Sequence, residues 1–168
     1  MSREHAELSY GFKTPHDLWA KLKRDAKRVE AAKDDDIEYQ DQAFNFLLTA
    51  NSLRDWILKY SFTPQDLCEI REFEKLPLCL RICRDLANSS KHFEFNKLGK
   101  KGKVVEKVVS QTVGVIKTYA GLITDTREYD IFISADGDYT AFEGLAKDIL
   151  GFYEKAFRSI PASVSEKN

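Results

Sequence analysis

Apolar side chains recur every three or four residues through most of this chain, which is the spacing of amphipathic helices that turn one face toward a core. Five segments show this spacing, at about residues 15–32, 34–60, 64–76, 78–95 and 141–158. Two of them open alike, with Thr14-Pro15 and Thr63-Pro64 followed two residues later by aspartate. Threonine suits the N-cap and proline the first helical position, so the pattern predicts helices with well-defined starts.

The pattern changes after residue 95. A glycine- and lysine-rich loop, NKLGKKGK, precedes segments rich in valine, isoleucine, threonine and aromatic residues. These segments predict three short antiparallel strands, at residues 104–110, 112–119 and 129–134. Asp136-Gly137-Asp138 then predicts a turn, and Thr140 with Glu143 predicts a capping box for the last helix.

The predicted fold class is mainly α (α+β). We expect one domain over residues 1–168, a bundle of about four to five helices with a small antiparallel β insertion at about residues 103–134. The strands need a covering helix because two or three short strands are not stable alone.

Composition narrows the class of protein. The chain has 168 residues, 43% of them hydrophobic and 12% aromatic, as in globular rather than disordered proteins. The net charge of −1 means that nucleic acid would have to bind at a local patch. The N-terminal residues lack the apolar run of a signal peptide, and no segment approaches the ~20 apolar residues of a membrane helix. We therefore expect a cytoplasmic protein without membrane contact.

The cysteines and histidines do not form a metal-binding pattern. Cys68, Cys79 and Cys83 are best interpreted as buried free thiols in a reducing compartment. The three histidines, at positions 5, 16 and 92, form no pair at helical spacing. The chain has neither the glycine loop that cradles phosphate nor the GxSxG motif of serine hydrolases. No metal and no cofactor is predicted.

The segment LCLRICRDLANSSKHFEF, residues 78–95, is the most informative one. As a helix it has an apolar face and a polar arc of roughly 100°. That arc holds Arg81, Arg84, Asp85, Asn88 and His92. Arg84, Asn88 and His92 lie along one row at four-residue spacing. Arginine clamps phosphate, an amide orients it, and imidazole exchanges protons near neutral pH.

Two carboxylates are candidates to hold the His92 ring in one tautomer. Asp85 is on the same helix, and Asp55 would reach it if the second and fourth predicted helices pack side by side. The alternative for the whole row is a solvated face or a structural salt-bridge network. An imidazolium near the end of a helix is also favourable without any catalysis.

The lysine loop is a second candidate surface for nucleic acid. Six lysines occur from Lys91 to Lys107, and those assigned to RNA binding are Lys97, Lys100, Lys101 and Lys103. Phe93 and Phe95 flank the start of the loop, where they could stack on bases. The alternative is a solvated loop whose two phenylalanines belong to the core.

The stretches AFNFLLTANSLRDWILKY and LRICRDLANSSKHFEF resemble the HEPN superfamily, small helical-bundle proteins of which many are metal-independent ribonucleases. The resemblance is carried by Arg54-Asp55-Trp56 and by Asp85, Asn88, Lys91 and His92. It implies that the ribose 2′-hydroxyl attacks the adjacent phosphodiester. His92 would be general base or acid, Arg84 would neutralise the phosphorane, and Asn88 and Asp85 would position them. Asp55, Arg81 and Lys91 would be supporting residues.

The resemblance also implies partners. HEPN proteins commonly form homodimers in which two such faces make one cleft, and toxins of this kind act with an antitoxin.

The chain departs from the family in one spacing, because seven residues separate Arg84 from His92 where active members have four to six. Three functions follow: a metal-independent endoribonuclease of a bacterial or phage-related defence or toxin system, a non-catalytic module binding nucleotide, RNA or a partner protein, and a structural dimerisation bundle.

Overall fold

The computed structural model describes residues 11–59, 70, 75–89, 104–119 and 122–158. These residues form the helices α1 (Pro15–Ala31), α2 (Asp36–Lys59), α3 (Leu78–Ser89) and α4 (Phe142–Arg158), and the strands β1 (Val105–Tyr119), β2 (Leu122–Ala135) and β3 (Asp138–Ala141). The predicted class, mainly α with a small antiparallel β insertion before the last helix, is confirmed. Most of the predicted helix at residues 64–76 lies outside the described residues.

Helix α1 begins as its sequence predicts. The Asp17 backbone N–H donates to Thr14 Oγ1 at 3.3 Å, and the Thr14 backbone N–H donates to the Asp17 carboxylate at 2.9 Å. This reciprocal pair is a capping box that satisfies two otherwise unpaired N–H groups. Hydrogen bonds, first of all from the Lys13 backbone, lower the pKa of the Asp17 carboxyl. The corresponding Thr63-Pro64 lies outside the described residues.

Aromatic side chains of α2 and α4 fill the centre of the core. Phe142 is buried and contacts Tyr39 and Phe46 edge-to-face. The Tyr153 hydroxyl donates to the Ala50 carbonyl at 2.7 Å, so a buried polar atom is satisfied between the two helices. Side chains of α2 and α4 therefore meet in one core.

The structure corrects one predicted core position on α2. The helical spacing of Phe44 with Leu47 and Leu48 predicts that Phe44 belongs to the core. In the structure Phe44 is 45% exposed, whereas Phe46 is buried. Helix α2 has apolar residues around much of its circumference, so the neighbouring elements determine which of them are covered.

A buried charge joins α1 to α2. The Asp25 carboxylate is inaccessible to solvent and pairs with Lys21 and, at 3.0 Å, with Arg28. Thr49 of α2 donates to the same carboxylate at 2.7 Å, and Lys21 Nζ donates to Thr49 Oγ1 at 2.6 Å. Both carboxylate oxygens are therefore satisfied, which a buried charge requires.

The sheet is one long hairpin with a short third strand. β1 and β2 pair antiparallel from Val105 opposite Ala135 to Tyr119 opposite Leu122. β3 pairs only with residues 132–135 of β2, so the strand order is β1-β2-β3. The predicted break at residue 111 is wrong because Gln111 lies in the ladder opposite Asp130. The first two predicted strands are thus one strand.

The turn after β2 is confirmed, and the predicted capping box beyond it is wrong. Asp136 and Gly137 have φ values of 51° and 86°, as in a tight hairpin turn. Thr140 belongs to β3 and its hydroxyl donates to the Ala141 carbonyl at 3.4 Å. Glu143 pairs with Lys33 and Lys147 instead. Helix α4 begins at Phe142, directly after the last residue of β3.

Lys33, in the turn between α1 and α2, ties the hairpin to the helices. Its carbonyl accepts the Tyr129 backbone N–H at 2.9 Å. Its Nζ lies 3.0 Å from Glu30, 3.2 Å from Glu143 and 3.9 Å from Glu128. The ammonium thus bridges α1, α4 and β2. No helix among the described residues has the length and apolar character needed to cross a membrane.

Candidate functional site

Helix α3 carries the described part of the predicted site and packs beside α2. Cys83 Sγ lies 3.5 Å from the Leu47 carbonyl oxygen, so the second and fourth predicted helices are neighbours, as the site required. Burial raises the pKa values of both the Cys83 and the Cys79 thiol. The prediction of buried free thiols holds for Cys83, while Cys79 is half-buried and Cys68 lies outside the described residues.

Asp85 lies in the predicted polar arc of α3, but it is buried rather than solvated. Its side chain is only 6% exposed. One oxygen, Oδ2, accepts the backbone N–H groups of Val104 at 2.7 Å and Val105 at 3.3 Å. Asp85 therefore fixes the start of β1 on α3. The periodicity of the helix could not show this, because the hairpin that covers Asp85 comes from elsewhere in the chain.

Arg84 forms an ion pair with the same carboxylate. Its Nε and Nη2 donate to Asp85 Oδ1 at 3.1 and 2.6 Å. The two N–H groups converge on this one oxygen, and charge-assisted bonds of this kind hold the guanidinium beside the carboxylate. About a quarter of the side chain remains exposed, at 26%. Arg84 thus belongs to the salt-bridge network that the sequence left open as the alternative to a catalytic row.

Arg81 lies near the turn between β2 and β3. Its Nη2 is 3.6 Å from Asp136 Oδ2. Its Nε is buried and makes no hydrogen bond within the part of the chain that the structure describes. The structure therefore gathers two arginines of α3 and two aspartates where the helix meets the sheet.

Asp55 does not join that group. Its carboxylate is 66% exposed and lies 3.5 Å from Arg54 Nη1. The Arg54 Nε donates to the Ile70 carbonyl at 3.1 Å, so this arginine binds the backbone at Ile70. Asn88 is half-buried near the end of α3. Of the predicted site residues that the structure describes, Arg81, Arg84 and Asp85 therefore lie where α3 meets the sheet, whereas Asp55 lies apart from them on α2.

The remaining predicted site residues belong to the segment between α3 and β1. They are His92 and Lys91 of the row and Lys97, Lys100, Lys101 and Lys103 of the loop, all outside the described residues. The convergence of Arg84 with His92 stays a prediction. Among the described residues, no group of three or more histidine, cysteine, aspartate or glutamate side chains is arranged to hold a metal ion.

A second surface, which sequence reasoning missed, lies between α1 and α4. It is a groove of about 620 Å³, hereafter the α1/α4 groove. Its lining includes His16, Trp19, Lys23, Glu154, Phe157 and Arg158. Ligand pockets in proteins commonly enclose about 300–1,000 Å³, so the groove has room for a small molecule.

Aromatic rings form the floor of the α1/α4 groove. The Trp19 and Phe157 rings are stacked with centroids 5.6 Å apart and an interplanar angle of 6°. The His16 ring meets Phe157 edge-on, with centroids 4.9 Å apart. His16, Trp19 and Lys23 follow one another at helical spacing, which was a usable signal in the sequence. Only the packing of α4 against α1 adds Phe157 to them.

Charged side chains border the floor. Lys23 Nζ lies 5.2 Å from the centroid of the Trp19 ring, a cation–π contact. Arg158 Nη2 donates to Glu154 at 3.0 Å, and both side chains are exposed. The rim thus offers two cations against one carboxylate, next to a flat aromatic surface. This combination suits a planar ligand that carries negative charge.

In comparisons with known proteins, no family model, no curated protein and no solved structure matches this chain. The resemblance to the HEPN superfamily stays a prediction that rests on the quoted residues.

Proposed function

We propose that the protein is a non-catalytic, HEPN-like binding module that holds a nucleoside phosphate in the α1/α4 groove. The observation that carries the proposal is the stacked Trp19–Phe157 pair bordered by Lys23 and Arg158. A nucleobase is planar and stacks on aromatic rings, and a phosphate is anionic and binds cations.

The energetics favour stacking by a base on Trp19. The Phe157 ring stacks on Trp19 with centroids 5.6 Å apart, and the Nζ of the exposed Lys23 lies 5.2 Å from the centroid of the Trp19 ring. An exposed cation–π contact is worth about 0.5–1 kcal/mol. Base–aromatic stacking is worth about 1–3 kcal/mol. A base would therefore displace the flexible lysine side chain, whose ammonium is then available to the phosphate.

Arg158 is the second phosphate ligand in this proposal. Its exposed pair with Glu154 contributes about 0–1 kcal/mol, because water screens such pairs. A phosphate offers the guanidinium two charge-assisted hydrogen bonds, which are stronger than that surface pair. Exchange of Glu154 for phosphate as the partner of Arg158 is accordingly favourable.

The contacts of α3 support a module without ribonuclease activity. In the catalytic hypothesis Asp85 positions the active groups and Arg84 neutralises the phosphorane. In the described structure Asp85 is committed to two backbone N–H groups of β1 and to Arg84. Because Asp85 binds the backbone of β1 and Arg84 binds Asp85, both side chains have a structural role.

Fluorescence polarisation of AMP labelled with N-methylanthraniloyl tests the nucleotide site. Trp19→Leu keeps an apolar side chain but removes the stacking surface, so we expect affinity to fall about 5- to 150-fold, the equivalent of about 1–3 kcal/mol. Lys23→Gln should weaken binding and reduce its salt dependence. The matched control is Lys27→Gln, an exposed lysine one turn further along α1.

Two results would contradict this function. One is equal affinity of the wild type and Trp19→Leu for the labelled AMP. The other is cleavage of a mixed RNA pool in EDTA by the wild type but not by His92→Ala, which would establish the metal-independent ribonuclease instead. Unlabelled adenosine and inorganic phosphate, used as competitors, report separately on the base and phosphate contributions.

A further inference from the structure

The outer edge of β1 is unusually long and open. β1 is the first strand of the order β1-β2-β3, so within the described residues no strand pairs with its other side. The 15 residues VEKVVSQTVGVIKTY contain no proline and span about 50 Å at 3.4 Å per residue. Val108 is 43% exposed on this strand. Proteins usually shorten, cover or interrupt such edges because they pair readily with another strand.

The far half of the hairpin also lacks a third strand. β3 pairs only with residues 132–135 of β2. The contacts of Lys33 with Glu128 and Tyr129, and of Tyr39 with Asp130, tie β2 to the helices near residues 128–130. Beyond them the described hairpin continues as two strands from Val113 opposite Glu128 to Tyr119 opposite Leu122. Two-stranded ribbons are marginally stable in water, whereas three or more strands support one another.

We infer that β1 pairs antiparallel with β1 of a second copy of this chain, about a two-fold axis at Val113. The second copy is the natural occupant because one edge strand, related to itself by a two-fold axis, completes both ribbons at once. The far half of each hairpin then lies in a four-stranded sheet of order β2-β1-β1-β2.

The start of β1 limits the register of this pairing. The N–H groups of Val104 and Val105 are bound to Asp85 of α3, and the register shift between Val105 and Lys107 takes residue 106 out of the regular ladder. The free edge therefore runs from residue 107 to residue 119. The middle of that edge is Val113. Antiparallel pairing about Val113 therefore uses the whole free edge, and it places Lys107 opposite Tyr119 and Lys117 opposite Val109.

Charge and length favour the register about Val113 over the registers shifted by one residue in either direction. An axis at Thr112 would place Lys107 opposite Lys117 twice, and like charges at opposite positions destabilise a pair of strands. An axis at Gly114 would leave the first two residues of the free edge unpaired. The register about Val113 is the longest one that keeps the two lysines apart.

Cross-linking of the full-length chain tests the register. Directly opposite residues in antiparallel strands have Cα atoms about 4.5–5.5 Å apart, within the range for a disulfide. We expect oxidised Val113→Cys to form a covalent dimer. Ser110→Cys is the matched control, because Ser110 lies opposite Ile116 and the two introduced cysteines would be about 20 Å apart. Wild-type protein oxidised in parallel reports any cross-linking through the native cysteines.

Sedimentation velocity measures the association itself. We expect a wild-type dimer, and its dissociation in Val113→Lys, where two lysines would meet on the axis, with Val113→Thr as the control that keeps a β-branched residue. If the wild-type protein is still monomeric at about 10⁻⁴ M, its dissociation constant for the dimer lies above that concentration. This result would overturn the inference. Cross-linking of Ser110→Cys but not Val113→Cys would overturn the register. Neither measurement depends on the nucleotide site, which lies on α1 and α4.

Discussion

Asp85 and Val104 are joined by a 2.7 Å hydrogen bond from the Val104 backbone N–H to the Asp85 carboxylate. This bond connects α3 to Val104, the residue that immediately precedes β1. Arg84 holds the second oxygen of the same carboxylate at 2.6 Å. The helix that carries the candidate site therefore also positions the hairpin, and both depend on one buried aspartate.

Replacing Asp85 should destabilise the fold. Asp85→Ala leaves two backbone N–H groups and the Arg84 guanidinium without their acceptor, so we expect the free energy of unfolding to fall by about 2–4 kcal/mol. Asp85→Asn keeps one acceptor oxygen and should lose less. Urea denaturation measures the change. Asp55→Ala is the control, because its exposed ion pair should contribute less than about 1 kcal/mol. Equal stability of Asp85→Ala and the wild type would refute the anchoring role.

The buried network of Asp25 gives a second stability prediction. Asp25→Ala removes the acceptor shared by Lys21, Arg28 and Thr49, and it should cost about 3–5 kcal/mol because the remaining polar groups stay partly buried. Arg28→Ala should cost under about 1 kcal/mol, since the arginine side chain is exposed. Thermal and urea unfolding of both variants check this order. A larger loss in Arg28→Ala than in Asp25→Ala would contradict it.

Tyr39 should make stability sensitive to alkaline pH. Its hydroxyl donates to Asp130 at 2.9 Å. Burial, followed by the charge of Asp130, raises the pKa of Tyr39 far above its ordinary value. The folded state keeps the proton when the unfolded state loses it, so this contribution is complete below the unfolded pKa of about 10 and falls as the pH rises above it.

The matching variant is Tyr39→Phe. It should lose about 1 kcal/mol of stability at neutral pH, because the hydrogen bond to Asp130 is gone. It should also lose stability less steeply than the wild type between about pH 9.5 and 11. Urea midpoints across that interval measure the difference. Tyr139→Phe, at an exposed position, is the control, and parallel pH profiles of Tyr39→Phe and the wild type would speak against the prediction.

Local chemistry explains which elements were predictable. The start of α1 was correct to the residue because Thr14, Pro15 and Asp17 act on backbone groups within one turn. The strand break at Gln111 was wrong because a polar residue inside a β-rich run looks like a turn, although the ladder to β2 continues through it. Strand length depends on a partner strand, which the local pattern does not contain.

The candidate site shows the same division. Sequence reasoning predicted Arg84 and Asp85 on one helix, which is correct, and it named packing of that helix beside α2 as the condition for Asp55 to reach His92. The two helices are neighbours. It could not assign Asp85 to the interior, since burial comes from β1 rather than from α3. It passed over His16 and Trp19 because their partner Phe157 lies on the last helix.

The sequence by itself determined the helices α1 to α4, the fold class, the start of α1 and the turn at Asp136-Gly137. These features follow from side-chain periodicity, capping and backbone conformation, which act over a few neighbouring residues. Only the tertiary structure decided that Asp85 accepts hydrogen bonds from the backbone at the start of β1 and that Trp19 and Phe157 line one groove. Burial and long-range hydrogen bonds depend on which distant segments meet, and that is a property of the packed chain as a whole.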